Sequence, residues 1–313
     1  MKETGNGNEG EEPRLHPDFY ELQALGESFY ATLAPRARAA SQSAQDSLAD
    51  KLKSVQQQWG TTGWEHPADD LVNFMNLYLF SAADELLHAS NSATSMSLLG
   101  VDVAARASIE ASAFAYDLGN PELGQTDRIA RGLRHRVWAE KELVKLVLQR
   151  NDERKTDANE AVDRLAKHGF DLGLLKSPEA KAAAHGRTSA VDACSALLEV
   201  ARQTPAQEGQ DSFKAGEFLY RLFSTRSHAN PISLVHWSKT VDPPNDEGHI
   251  RLSKEVHATA TSILWAINAL TAAIVECAKF MGYGIQLPER HAEMNRLLEL
   301  ANAHRVEPFA APK

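Results

Sequence analysis

The sequence predicts an all-α protein, a multi-helix bundle with one small hairpin or ordered loop near residues 232–252. Apolar residues recur at intervals of three and four along most of the chain, the spacing that places them on one face of a helix. Alternating patterns typical of strands are nearly absent. Prolines and glycines occupy positions that helix ends favour, such as Pro67, Pro178 and Gly282.

The periodic segments give the predicted helices in chain order. They cover residues 19–33, 37–59, 68–89, 96–118, 129–148, 158–166, 180–184, 191–201, 213–228, 256–281 and 292–301. The pattern changes only near residues 232–252, where SLVHW and HIRL flank the turn-rich VDPPNDEG. This arrangement favours a hairpin or an ordered loop.

We expect residues 15–303 to form a single all-helical domain, because neither half shows a separate alternation of element types. A polar, charged stretch near residues 150–181 is an excursion from that domain. Residues 1–14 are rich in Gly, Asn and Glu, which predicts a disordered acidic tail, and residues 304–313 are expected to form a flexible tail.

Composition excludes several classes of protein. A net charge of −9 argues against a DNA-coating role, because affinity for a polyphosphate depends on basic side chains. The two cysteines, Cys194 and Cys277, lie far apart and predict buried thiols rather than a disulfide framework. Phosphate-binding glycine loops, GxSxG elbows and HExxH motifs are absent, so no cofactor or metal is expected. Without a signal-peptide pattern, we expect a cytoplasmic location.

One segment has the length of a membrane span. Residues 258–275 carry no charge over eighteen positions. The segment holds five Ser, Thr or Asn side chains, and no cluster of Lys or Arg marks one flank. We therefore expect a buried core helix and no membrane association.

The candidate catalytic residues lie in YRLFSTRSHANP, residues 220–231. Arg221 and His228 are seven positions apart, about 10 Å along a helix and nearly on one face. An imidazole can move a proton to or from a ribose 2′-hydroxyl, and a guanidinium can stabilise charge on the phosphate. Arg226 and Ser224 are close enough in sequence to contribute. This chemistry needs no metal.

The arginine followed by six residues and a histidine resembles the HEPN superfamily. The resemblance lies mainly in residues 213–283, and the same region also resembles uncharacterised bacterial all-helical families. Members of the superfamily are helical, usually dimeric and often metal-independent ribonucleases. The resemblance therefore implies an endoribonuclease or defence-type RNA-targeting protein that forms a homo-oligomer, with RNA as its partner. Leu222 departs from the family pattern, which commonly places a polar residue there.

Two further groups of residues suggest anion binding. Arg106 and Glu110 can pair across one helical turn, and Arg106 could instead clamp an anion or reach the face that carries Arg221. Residues 128–155 hold nine Lys or Arg against four Asp or Glu. Their helical spacing predicts a cationic ridge that could follow an RNA backbone and stack a base. The ridge consists of Arg128, Arg131, Arg134, His135 and Trp138.

Two alternatives stay open. The polar pairs could serve packing alone, which would make the chain a non-catalytic helical interaction or scaffold protein. Glu85 and His88 form one ExxH pattern, half of what a ferritin-like metal-binding oxidase requires, and Glu110 and Glu140 could supply carboxylates.

Overall fold

The structure is a computed structural model of the 313-residue chain. It describes residues 15–39, 43–61, 63–95, 97, 99–147, 152–185, 188–201, 220–221, 224, 239–240, 252–253, 255–285, 287 and 289–303. The helices are α1 (Pro17–Ala39), α2 (Leu48–Ser54), α3 (Pro67–Ser92), α4 (Gly100–Gly119), α5 (Gln125–Val147), α6 (Asp152–Asp171), α7 (Ala180–His185), α8 (Ala190–Ala201), α9 (Val256–Met281) and α10 (His291–Ala303). These elements confirm the predicted all-α, multi-helix fold.

Two short strands interrupt the helical pattern. Strand β1 (Lys239–Thr240) pairs antiparallel with β2 (Leu252–Ser253), so that Lys239 faces Ser253. A small hairpin or an ordered loop was predicted near residues 232–252, and SLVHW itself lies outside the described residues. A 3₁₀ turn, Gln56–Gln58, follows α2.

The core is centred on α3, α4 and α9. Helix α4 packs along both α3 and α9, and α1 covers the other side of α3. Many residues of α4 are Ala or Ser, whose small side chains let the neighbouring helices approach closely. Two buried hydroxyls tie the layers together: Ser108 Oγ donates to the Ala82 carbonyl at 2.7 Å, and Ser262 Oγ donates to Asp102 Oδ1 at 2.6 Å.

Helix α9 is the one described helix that is long and apolar enough to cross a membrane by length and composition alone. In its most apolar window, 61% of the residues are buried inside the protein. The helix contacts α1, α3, α4, α8 and α10, and Ile263, Ile267 and Leu270 are fully buried. A central core helix accounts for this composition, as the sequence predicts.

A second layer forms where α5 packs on α3 and is covered by α6 and α7. Gly169 of α6 makes this approach possible, because a Cβ there would lie 2.2 Å from Leu133 Cδ2 on α5. The stretch expected to be a polar excursion, residues 150–181, therefore contains a 20-residue helix that packs on the bundle.

The predicted helix over 37–59 is wrong. Helix α1 continues to Ala39, and the chain restarts as the short α2 after Asp46, which has a left-handed φ of 59°. Ser47 then caps α2, because its hydroxyl accepts from the Asp50 amide at 3.0 Å. Local capping chemistry thus divides a segment whose apolar spacing looked continuous.

Gly26 marks the closest approach of α1 to α3. A Cβ at this position would lie 2.1 Å from Ser90 Oγ and 2.8 Å from Ser90 Cβ. We expect Gly26→Ala to lower the free energy of unfolding by about 2 kcal/mol, because overpacking outweighs the gain of about 1 kcal/mol in helix propensity. Urea unfolding checks this value. When Gly26→Ala is combined with Ser90→Gly, most of this loss in the free energy of unfolding should disappear. A Gly26→Ala protein that is more stable than the parent would contradict the close packing.

Candidate functional site

A cluster of three polar side chains joins α4 to the segment that carries the candidate catalytic residues. Arg106 Nε donates to Glu110 Oε1 at 2.7 Å, which confirms the predicted pair one turn apart on α4. The Tyr220 hydroxyl donates to the same Glu110 oxygen at 3.1 Å and accepts from Arg106 Nη2 at 3.3 Å. The Arg106 guanidinium carbon also lies 5.6 Å from the centre of the Tyr220 ring. We call this closed set the Tyr220 clamp.

The charges of the Tyr220 clamp are suited to its hydrogen bonds. Burial and the neighbouring Glu110 carboxylate raise the pKa of Tyr220, so its hydroxyl keeps its proton near neutral pH and can donate. Burial works to lower the pKa of Arg106, but Glu110 and Tyr220 outweigh it and raise that pKa. The clamp is thus an ion pair between Arg106 and Glu110, and the neutral Tyr220 hydroxyl forms hydrogen bonds with both.

The Tyr220 clamp lies directly before Arg221 in the chain. Tyr220 is 8% exposed, whereas Arg221 is exposed and Ser224 is half-buried. Two of the four candidate catalytic residues, Arg226 and His228, lie outside the described residues. Arg106 contacts the Tyr220 hydroxyl, and whether it reaches the face that carries Arg221 and His228 stays a prediction.

The start of the predicted cationic ridge is buried. Arg128 is 2% exposed, with Nη1 donating to the Leu118 carbonyl at 2.9 Å and Nη2 to the Leu123 carbonyl at 3.0 Å. Its guanidinium carbon lies 4.3 Å from the centre of the Phe280 ring. Burial lowers the pKa of Arg128 to about 10, which leaves the group charged at neutral pH. Arg128 thus satisfies carbonyls at the end of α4, where a helix carries partial negative charge.

A buried network lies next to this cap. Arg131 Nη1 donates to Asp117 Oδ1, and His135 Nε2 lies 3.5 Å from Asp117 Oδ2. The other ring nitrogen, His135 Nδ1, is 3.1 Å from the Tyr78 hydroxyl. Burial acts to raise the pKa of Asp117, but the nearby His135 and Arg131 outweigh it and lower that pKa. The network joins α3, α4 and α5.

These positions correct the predicted ridge. Arg128 and His135 are buried, at 2% and 1% exposure, because α5 turns them toward the end of α4. Arg134 and Trp138 are half-buried, and Arg131 is held by Asp117. A nucleic-acid backbone cannot reach a ridge composed of all five side chains. Arg128, Arg131 and Arg136 instead contact carbonyls or acids of their own chain.

The described residues do not assemble the ferritin-like alternative. Glu85 and His88 lie 3.6 Å apart, and the His88 side chain is 66% exposed. In the described part of the chain no three His, Cys, Asp or Glu side chains converge on a metal position. Glu110 and Glu140 are each paired with an arginine, Arg106 and Arg136 respectively.

Sequence reasoning missed Asp117 and Tyr78. Asp117 lies in a turn of α4 that looked apolar, and Tyr78 lies 57 residues from its partner His135. One signal was present: an acid just before an arginine-rich helix suggests an ion pair across the connecting turn. The expectation of buried thiols is confirmed, since Cys194 and Cys277 are both buried and burial raises the pKa of each.

Comparison with protein-family profiles, with curated proteins and with solved structures gives no match for this chain. The resemblance to the HEPN superfamily therefore remains a hypothesis based on the residues themselves.

Proposed function

We propose that the chain is a HEPN-like, metal-independent ribonuclease that acts in the cytoplasm as a homo-oligomer. One observation supports the proposal: Tyr220 docks on α4 through the Tyr220 clamp, and the next side chain, Arg221, is exposed. An arginine held beside a rigid helix can meet a phosphate without first ordering its own backbone. A defence-type role against RNA is the biological setting that the resemblance implies.

The proposed chemistry is transfer within the RNA strand. His228 removes the proton of a ribose 2′-hydroxyl, the 2′ oxygen attacks phosphorus, and the bond from phosphorus to the 5′ oxygen breaks. A proton then returns to the 5′ oxygen, leaving a 2′,3′-cyclic phosphate and a 5′-hydroxyl. Arg221 and Arg226 stabilise the charge on the phosphate, and Ser224 adds a hydrogen bond.

The test is RNA cleavage in the presence of a chelator. We expect purified protein to cleave a labelled single-stranded RNA in EDTA, with about a hundredfold loss of rate in His228→Ala and in Arg221→Ala. His88→Ala is the matched control, because the His88 side chain is 66% exposed and belongs to neither the Tyr220 clamp nor the candidate catalytic residues. An inert parent protein, or a fully active His228→Ala, contradicts the proposal.

A second candidate is a non-catalytic interaction or scaffold protein. The contacts of two α5 arginines favour this function. Arg128 and Arg131 contact backbone carbonyls and an acid of their own chain rather than solvent. If the parent is inert toward RNA and His228→Ala has a lower melting temperature, the candidate catalytic residues serve packing and this function is the better one.

A further inference from the structure

A cleft of about 480 Å³ is lined by residues of α5 and α6 together with Thr61 and Gly63. This volume lies within the range of about 300–1,000 Å³ that is usual for small-molecule sites. None of the residues of the Tyr220 clamp lines the cleft. The cleft is therefore separate from that cluster and plays no part in the ribonuclease proposal.

Apolar side chains make up most of the lining. Val144 of α5 and Val162 and Leu165 of α6 contribute to it, and the two valines are each 5% exposed. Ala158 and Ala161 of α6 add small side chains. Water gains few hydrogen bonds from such walls, so the hydrocarbon part of an organic molecule is the better occupant.

The charged side chains of the lining are two arginines and one glutamate, Arg136, Arg164 and Glu140. The Arg164 side chain is 72% exposed and lies 3.7 Å from Glu160, so solvent and that acid weaken its field. Arg136 is more enclosed, with a side chain that is 28% exposed. Arg136 is therefore the group that decides which polar head the cleft prefers.

The guanidinium of Arg136 is only partly satisfied. Nη1 donates to Asp70 Oδ2 at 3.0 Å, and Nη2 lies 2.7 Å from Glu140 Oε1. Nε is buried, and no acceptor among the described residues lies within hydrogen-bonding distance of it. A buried donor without an acceptor is destabilising. The edge of the guanidinium formed by Nε and Nη2 thus has one partner where it could have two.

We propose that this cleft binds a small apolar monocarboxylate, whose head group replaces Glu140 on the Nε and Nη2 edge of Arg136. The two oxygens of the ligand accept from Nε and Nη2 in parallel, the bidentate arrangement that gives strong arginine pairs. The Glu140 side chain, which is 31% exposed, turns into solvent and opens this edge to the ligand. Asp70 does not line the cleft and keeps Nη1, so the number of carboxylates on the guanidinium stays the same.

The rest of the ligand lies against the apolar walls. Its hydrocarbon chain runs between Val144 and Val162, where it is removed from water. The exchange at Arg136 therefore selects the head group, and the walls supply most of the affinity. The site is a ligand site of its own, independent of RNA cleavage.

The experiment compares three probes of one chain length, octanoate, octan-1-ol and octylamine, titrated calorimetrically into the full-length protein at pH 7. We expect octanoate to bind about tenfold more tightly than octan-1-ol, because its hydrogen bonds to Arg136 are charge-assisted, and octylamine to bind most weakly. Equal binding of octanoate and octan-1-ol, or a preference for octylamine, contradicts the choice of a carboxylate.

Two variants test the exchange at Arg136. Glu140→Gln removes the competing charge and should tighten octanoate binding about threefold, while the affinity for octan-1-ol stays the same. Arg136→Lys keeps a positive charge beside Asp70 but lacks the Nε–H, so octanoate should lose most of its advantage over octan-1-ol. Unchanged or weaker octanoate binding in Glu140→Gln, or a full advantage of octanoate in Arg136→Lys, overturns the exchange.

A second pair of variants tests the location. Ala158→Phe fills the cleft from α6 and should abolish octanoate binding, while Asn159→Phe adds the same ring at the neighbouring exposed position and should leave binding intact. Melting by circular dichroism checks that each variant folds, and the Glu140 and Arg136 variants test the site if Ala158→Phe does not. Octanoate binding that survives Ala158→Phe, or no binding of any probe to the parent, overturns the site.

Discussion

Replacing Arg128 with methionine is expected to lower the free energy of unfolding by about 3 kcal/mol. The side chain is buried and donates to the Leu118 and Leu123 carbonyls at 2.9 and 3.0 Å. Methionine fills much of the volume but has no donor, so the buried Leu118 carbonyl at the end of α4 and the half-buried Leu123 carbonyl in the following turn lose their partners. Each buried group left without a hydrogen bond costs about 1–3 kcal/mol. The variant no longer has the desolvation penalty of a buried guanidinium, which offsets only part of that cost.

Urea unfolding at pH 7 measures the loss. Arg134→Met is the matched control, because it removes the same group from the same helix at a half-buried position. We expect Arg134→Met to cost less than about 1 kcal/mol. Equal losses in the two variants would show that the Arg128 cap has no special role.

Replacing Asp117 with asparagine is expected to cost about 3 kcal/mol at pH 7. Asp117 is 4% exposed and lies beside Arg131 and, at 3.5 Å, His135. Removing its charge leaves the Arg131 guanidinium, whose side chain is 30% exposed, without its counterion. Breaking a fully buried pair typically costs about 3–5 kcal/mol, and the exposure of Arg131 reduces that cost. The amide oxygen still accepts one hydrogen bond, which places the loss at the lower end.

The cost of Asp117→Asn should depend on pH in one direction. The pKa of Asp117 is lower in the folded protein than its ordinary value of 3.8, so the unfolded chain binds the proton more tightly. The stabilisation is fully present above about pH 4 and is lost as pH falls through the lower, folded value. Urea unfolding of parent and variant between pH 2.5 and pH 7 should therefore show the two stabilities converging on the acid side.

Asp70 provides a control of opposite sign. Burial raises the pKa of Asp70 despite the nearby Arg136, so its folded form binds the proton more tightly than the unfolded chain. As pH falls, the free energy of unfolding of the parent should therefore rise relative to that of Asp70→Asn. If both aspartates gave the same trend, a general acid effect would explain the data instead of the Asp117 network.

The helical elements could be predicted because they depend on local patterns. Helix α9 follows the predicted bounds of 256–281, and Gly282 ends it with a φ of 82°, a conformation that glycine adopts without strain. Errors arose where two helices shared one continuous pattern, as before Ser47, since apolar spacing does not reveal a cap.

The sequence predicted which side chains of the candidate site pair across one helical turn. It did not predict which side of a helix faces the rest of the protein. Arg106 and Glu110 pair as expected, because residues four apart on a helix are neighbours whatever surrounds them. The same reasoning grouped Arg128, Arg131 and His135 correctly on one side of α5. It could not tell that this side faces the end of α4, because a charged face is usually solvated and only the packing of α5 buries it.

The sequence by itself therefore determined the helical class, most helix positions and the Arg106 pair, which follow from interactions between near neighbours, and the burial of the thiols, which follows from the absence of a cysteine motif. Only the tertiary structure decided that Arg128 and Arg131 of α5 contact the end of α4 and that Tyr220 docks on Glu110. Each of these depends on side chains brought together from distant parts of the chain. Their contact is set by how helices pack, which local spacing does not encode.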